Sequence, residues 1–159
     1  MVQTGTGDAT FGQAPTYNTD AGFMLALSPD KKAFTATFSG LEAILEAKST
    51  PIVTRVFSFS IPLADTELGQ EIPFFVSGTA EFEKGANAHM VFTINDQSMT
   101  AYFPALSKDG FVHRLNYKAI DAKEARVTVL LLVSRDSKSE VEAYLNVSTI
   151  DTDIAKHRN

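Results

Sequence analysis

Residues 71–94 read EIPFFVSGTAEFEKGANAHMVFTI, and this stretch decides the fold. Ile72, Phe74, Val76, Ala80 and Phe82 fall on one side of a two-residue period, with Ser77, Thr79, Glu81 and Glu83 on the other. Successive side chains of a strand point to opposite faces, so this is the signature of a strand with one buried and one solvated side. A polar connection, Glu83-Lys84-Gly85-Ala86-Asn87, follows, and the period resumes at Ala88, Met90, Phe92 and Ile94. Strand, short turn and strand, without an intervening long helix, point to antiparallel β structure.

The same period runs outward in both directions. It places Phe34, Ala36 and Phe38 together, then Phe111, Leu115 and Tyr117, then Ala125, Val127, Val129, Leu131 and Val133, then Val141, Ala143, Leu145 and Val147. Ser28-Pro29-Asp30-Lys31 has proline where a type I turn requires its fixed φ. Ser107-Lys108-Asp109-Gly110 and Arg135–Ser139 are further polar turns. Eight or nine strands are too many for one flat sheet of this size. The expectation is an all-β antiparallel sandwich of two sheets with Greek-key or jelly-roll connections, and a closed barrel is the alternative. In GLEAILEAKS the apolar Leu41, Ile44 and Leu45 sit at helical spacing, so Leu41–Ala47 stays open between a short helix and an irregular strand. One domain is expected over 21–154, behind a flexible N-terminal arm of residues 1–20 rich in Thr, Gly, Gln, Asn and Pro, with a frayed end at 155–159.

Composition bounds the function. The 159 residues carry fourteen Lys and Arg against nineteen Asp and Glu, a net charge of −5, which argues against a sequence-independent nucleic-acid binder because phosphate neutralisation needs a basic surface. Cysteine is absent, which excludes thiol catalysis, thiolate metal sites and disulfides. No apolar run approaches the ~18 residues of a spanning helix. Residues 1–30 hold no Lys or Arg, so the basic start of a signal peptide is missing, and an exported protein would have lost its signal.

Candidate chemistry is sparse. The chain contains no G-x-S-x-G, no phosphate-cradling G-x-x-x-x-G-K-[ST], no dinucleotide fingerprint and no H-E-x-x-H. His113 shares a side with Phe111, Leu115 and Tyr117; it reads as a core-edge imidazole or, if a carboxylate lies beside it, a general base. His89 reads as a surface residue, and a His89–His113 metal pair would need their strands adjacent. Without tryptophan, ring stacking on a ligand falls to Tyr102, Tyr117 and Tyr144, although Tyr117 and Tyr144 also suit the rim of a core with their hydroxyls at the edge. Asp151 and Asp153, and separately Asp65, Glu67 and Glu71, are clusters of hard oxygen that would suit calcium in a loop or simply solvate one; no other cofactor is indicated. Glu81 and Glu83 are one strand period apart, as on a solvated face. Asn146-Val147-Ser148 matches a glycosylation sequon but falls within a strand.

One run exceeds the one-sided pattern. In ARVTVLLLVSR (residues 125–135), Leu130 and Leu132 add an apolar second face. Strands apolar on both faces are normally covered on both, so Leu130, Leu132 and the similarly placed Phe75 mark a surface for a loop, the arm or another subunit.

The order LSPDKKAFTATFSGLEA (27–43), FSFSIPL (57–63), VSGTAEFEKGANAHMVF (76–92) and VEAYLNVSTIDTDI (141–154) resembles a family of small secreted fungal and bacterial proteins of unknown function. The resemblance implies an exported β-sandwich and assigns no catalytic residue. The family carries cysteines expected to pair, and this chain has none. The leading reading is a non-enzymatic, exported or periplasmic sandwich that binds a protein partner or a second copy of itself. The alternatives are an apolar-ligand carrier with a hollow phenylalanine-lined interior, and a sandwich or barrel enzyme using His113 as base.

Overall fold

The alternation becomes twelve strands among the residues that the computed structural model describes, 9–12, 16–17, 21–48, 50–66, 69–103 and 110–154. The frayed end at 155–159, Glu67 and most of the turn at 107–110 lie outside the described residues. The strands are β1 (Thr10–Phe11), β2 (Thr16–Tyr17), β3 (Met24–Leu27), β4 (Ala33–Thr37), β5 (Glu42–Leu45), β6 (Ile52–Ala64), β7 (Glu71–Phe82), β8 (Ala86–Ile94), β9 (Gln97–Tyr102), β10 (Gly110–Lys118), β11 (Glu124–Arg135) and β12 (Ala143–Asp153). The number exceeds the eight or nine expected because β1, β2, β3 and β5 span only two to four residues, too few to display a period. β5 resolves Leu41–Ala47 in favour of a strand: Glu42–Leu45 pairs with Ala143–Asn146 of β12.

All pairings are antiparallel. The first sheet runs β1-β6-β11-β8-β9, with β2 also on β6; the second runs β10-β7-β12-β4-β3, with β5 also on β12. Taking β4 and β6–β12 as eight strands in chain order, the second sheet is ordered 1-8-3-6 and the first 2-7-4-5, which is jelly-roll winding. Two separate sheets with their own edges replace the barrel alternative. No helix among the described residues is long and apolar enough to cross a membrane.

Between the sheets lies a core dominated by phenylalanine. Phe11, Phe57, Phe59, Phe74 and Phe92 are fully buried, each contributing about 2–3 kcal/mol of apolar burial. Their rings touch across the layer: Phe11 to Phe34 at 4.9 Å, Phe34 to Phe74 at 6.0 Å and Phe34 to Phe59 at 6.1 Å between centroids. Rings in contact fill the space that the carrier reading needed hollow.

The expected arm is partly built into the sandwich. Phe11 is 1% exposed, its N–H donates to the Lys31 carbonyl, and Ala9 N donates to Gln70 Oε1 at 2.9 Å. β1 and β2 extend the first sheet along the free edge of β6 and do not cross its outer face. Leu130 and Leu132 therefore take cover mainly from their in-sheet neighbours, Val56 and Val91 beside Leu130, Thr54 and His89 beside Leu132. Phe75 faces outward from the opposite sheet, so Leu130 and Leu132 lie on one outer surface and Phe75 on the other, with the core between them.

Asn95 ties the layers at one end. It takes the left-handed φ of 54° that a two-residue hairpin turn between Ile94 and Gln97 demands. Its Nδ2 donates to the Tyr117 hydroxyl at 2.6 Å and to the Glu124 carbonyl at 3.0 Å, while its Oδ1 accepts from Arg126 N at 2.9 Å.

Candidate functional site

The outer face of the second sheet gathers the chemistry. Antiparallel register sets Ala26, Thr35, Asp151, Phe75 and Arg114 in one row across five strands. The next row holds Met24, Thr37, Thr149, Ser77 and Val112. A groove of about 570 Å³ runs over these rows, and Ser28 and Asp153 also line it. Thr35 Oγ1 donates to Asp151 Oδ1 at 2.6 Å, which fixes one carboxylate oxygen and leaves the other able to accept. The Arg114 guanidinium lies 5.4 Å over the Phe75 ring, and its Nε donates to Asn116 Oδ1 at 2.7 Å. At the end of the groove, Ser28 Oγ donates to Asp30 Oδ1 at 2.7 Å and Lys32 N donates to the same oxygen at 3.1 Å. The Ser28 bond first, and then the Lys32 N–H, hold the Asp30 carboxyl below the usual range.

A second groove, about 800 Å³, opens on the same face around Tyr144, whose cross-strand neighbours are Ile44 and Glu81. The Tyr144 hydroxyl donates to Glu42 Oε2 at 3.1 Å, and Glu83 Oε1 accepts from Glu142 N at 3.0 Å. Burial pushes the Tyr144 phenol up, and the Glu42 bond and the charges of Glu42 and Glu81 add to this. A raised phenol contributes its stability below the ordinary tyrosine value and loses it as pH rises through the folded one. Tyrosinate absorbance should therefore show a late component that vanishes in Tyr144→Phe and moves to lower pH in Glu42→Gln; a Tyr144 that ionises with free tyrosine would contradict this environment.

Between the levels of the two grooves β12 is bulged. Its register on β7 shifts between Val147 and Thr149, making Ser148 the extra residue. On the other side of β12, β4 pairs with Thr149–Asp153 and β5 with Ala143–Asn146, so the chain breaks from one to the other at the level of the bulge.

The residues singled out from the sequence scatter. Tyr102, 75% exposed, stands on the outer face of the first sheet against His89 at 5.5 Å; Tyr117 is buried in the core with its hydroxyl on Asn95; Tyr144 lies on the outer face of the second sheet. The three share no surface, and only Tyr117 of the pair with Tyr144 caps the core. His113 lies against Phe103 at 5.7 Å and Phe111 at 5.5 Å, with no side-chain hydrogen bond among the described residues. A general base needs a polar partner, and this aromatic setting supplies none from the described residues. His89 faces outward from one sheet and His113 inward from the other, so they do not pair. Asp151 and Asp153 are strand residues, not loop ligands, and among the described residues no group of three His, Asp or Glu side chains could hold a metal. Thr35, Ser77 and Arg114 were missed. Thr35 alternates outward in KAFTATFSG, but its partner Asp151 is 116 residues away, and no local signal announces that pairing.

No family model and no curated protein matches this chain. Among solved structures it is similar to TmCBM61 in complex with beta-1,4-galactotriose, at 8% identity over 91% of this chain and 90% of that one, with a TM-score of 0.41. It is also similar to the carbohydrate-binding module CBM36 in complex with calcium and xylotriose (15% identity, 86% and 98% covered, TM-score 0.36). A third is the C-terminal CBM6 of LamC from Zobellia galactanivorans (8% identity, 91% and 97% covered, TM-score 0.35).

Proposed function

We propose that this chain is a non-catalytic binding module for a neutral, hydroxyl-rich ligand, a saccharide, held on the outer face of the second sheet in the groove beside Phe75. The observation that carries the reading is the Asp151–Thr35 pair set next to Phe75 on an open strand face. A sugar hydroxyl both donates and accepts, and it finds here a carboxylate oxygen free to accept, the Thr35 hydroxyl oxygen to accept, and the Ser77 hydroxyl to do either. The C–H surface of a sugar ring finds Phe75 and Val112. Asp151 and Asp153 line this groove, and the Arg114 guanidinium at its edge is held over the Phe75 ring and by Asn116, so a polyanion is disfavoured.

The test is affinity electrophoresis and calorimetry against a panel of neutral polysaccharides, at low and high salt. Phe75→Ala and Asp151→Ala are each expected to weaken binding about tenfold or more, roughly 1.4 kcal/mol, with the melting temperature preserved. Tyr102→Ala, on the opposite face, should leave it unchanged. Retention by no neutral polysaccharide, or retention indifferent to both substitutions, overturns the reading, and so does retention that falls steeply with salt, because a neutral ligand carries no charge to screen.

Self-association is favoured by a separate observation. Val56 and Ile52 are 49% and 58% exposed on the first sheet, and Val56 adjoins Leu130, an apolar stripe on an otherwise polar surface. A concentration-independent monomer in sedimentation would remove this second reading.

A further inference from the structure

We infer that the ligand is a linear saccharide chain bound along its length across both grooves of the second sheet, not a single sugar; this rests on the saccharide reading above. The two grooves lie on one face of the same strand pair. Phe75 stands opposite Asp151 in the first, and Glu81 stands opposite Tyr144 in the second. From Phe75 to Glu81 is six residues of β7, or about 20 Å at roughly 3.3 Å per residue. That span exceeds one sugar ring several times over, so one unit cannot engage both aromatic positions.

What lies between is polar. Beyond Ser77, which belongs to the first groove, Thr79 on β7 and Thr149 and Asn146 on β12 fall between the two, all partly exposed. Asn146 Oδ1 accepts from Thr79 N at 2.7 Å, which holds that side chain in place and leaves its amide N–H₂ as a donor. Each groove supplies an aromatic ring and a carboxylate: Phe75 with Asp151, Tyr144 with Glu81. Repetition of that pairing at either end of a hydroxyl- and amide-bearing track is what a chain of chemically repeating units would match. Joining two weak contacts through one covalent chain makes the second binding event intramolecular, so affinity should climb with length.

The experiment is calorimetry with a length series of one neutral saccharide that the protein retains, from the monosaccharide to oligomers that cover both grooves. Affinity is expected to rise until both grooves are spanned and then level off. Tyr144→Ala should weaken the longest oligomer about tenfold and leave the shortest unchanged, whereas Phe75→Ala weakens both; Glu81→Gln, which keeps the side-chain volume, serves as a second reporter of the far groove. Affinity already at its maximum for the shortest ligand, or long-chain binding untouched by both Tyr144→Ala and Glu81→Gln, overturns the two-groove inference. Failure of every length to bind overturns the saccharide reading beneath it.

Discussion

Phe74→Ala should destabilise the protein by about 3–5 kcal/mol, the range for removing a buried aromatic side chain. Phe74 is 0% exposed, and its ring meets Phe34 at 6.0 Å and Tyr117 at 6.4 Å from its own sheet, Phe11 and Phe92 at 6.5 Å each from the opposite one. Truncation therefore loses burial and leaves a cavity that four rigid rings cannot close without giving up their own contacts. Set against a total stability of about 5–15 kcal/mol, the loss brings the domain close to its threshold. Phe74→Leu keeps most of the volume and should cost about 1–2 kcal/mol. Denaturant unfolding provides the check: the midpoint should fall with little change in slope. A Phe74→Ala midpoint close to that of the parent would mean that the two sheets do not share one aromatic core.

That core is legible in the sequence because burial on one face of a strand imposes a period of two. Ile72, Phe74, Val76, Ala80 and Phe82 all face inward as the alternation requires, and so do Ala125, Val127, Val129, Leu131 and Val133. Length was the limit. β1 and β5 are held by partners on β6 and β12, and four residues or fewer cannot announce a period, so the sequence places Phe11 in a flexible arm although it sits against Phe34 and Phe74. Gly, Pro and Thr around Phe11 suggested mobility, and only the long-range pairing of Phe11 with Leu63 overrides that local composition.

The candidate site was less legible, for a related reason. Alternation says which residues face outward but not which strands become neighbours. The sequence marks Asp151, Phe75 and Tyr144, but in separate roles: a calcium or solvated loop, an interface, and a ligand-stacking ring or core rim. The winding sets β12 beside β7 and places all three on one face. Thr35 drew no attention because its significance comes wholly from the Asp151 carboxylate across the β4–β12 ladder. The bulge at Ser148, which lies between the two grooves, has no local mark in NVST.

Gly78→Ala should be the most damaging exchange of a single hydrogen for a methyl on this face. Gly78 is a core-side position of β7 opposite Val147, one residue before the bulge, where strand backbones approach closely. A Cβ at Gly78 would collide with the Asn146 carbonyl oxygen and lie 2.9 Å from Phe111 Cζ. The ring can shift, but the carbonyl belongs to the ladder, so β7 and β12 must part. A loss of about 3 kcal/mol is expected, the upper part of the overpacking range. Gly40→Ala is the internal comparison, since its added methyl meets only the Ala21 carbonyl at 3.6 Å; it should stay within about 0.5 kcal/mol. Because Ser77 and Thr79 flank Gly78 on the groove side, the folded fraction of Gly78→Ala should also bind long saccharides more weakly than the parent, while Phe74→Ala, once folded, should bind them normally. Equal affinities for folded Gly78→Ala and the parent would show that ligand binding does not depend on the geometry of this strand pair.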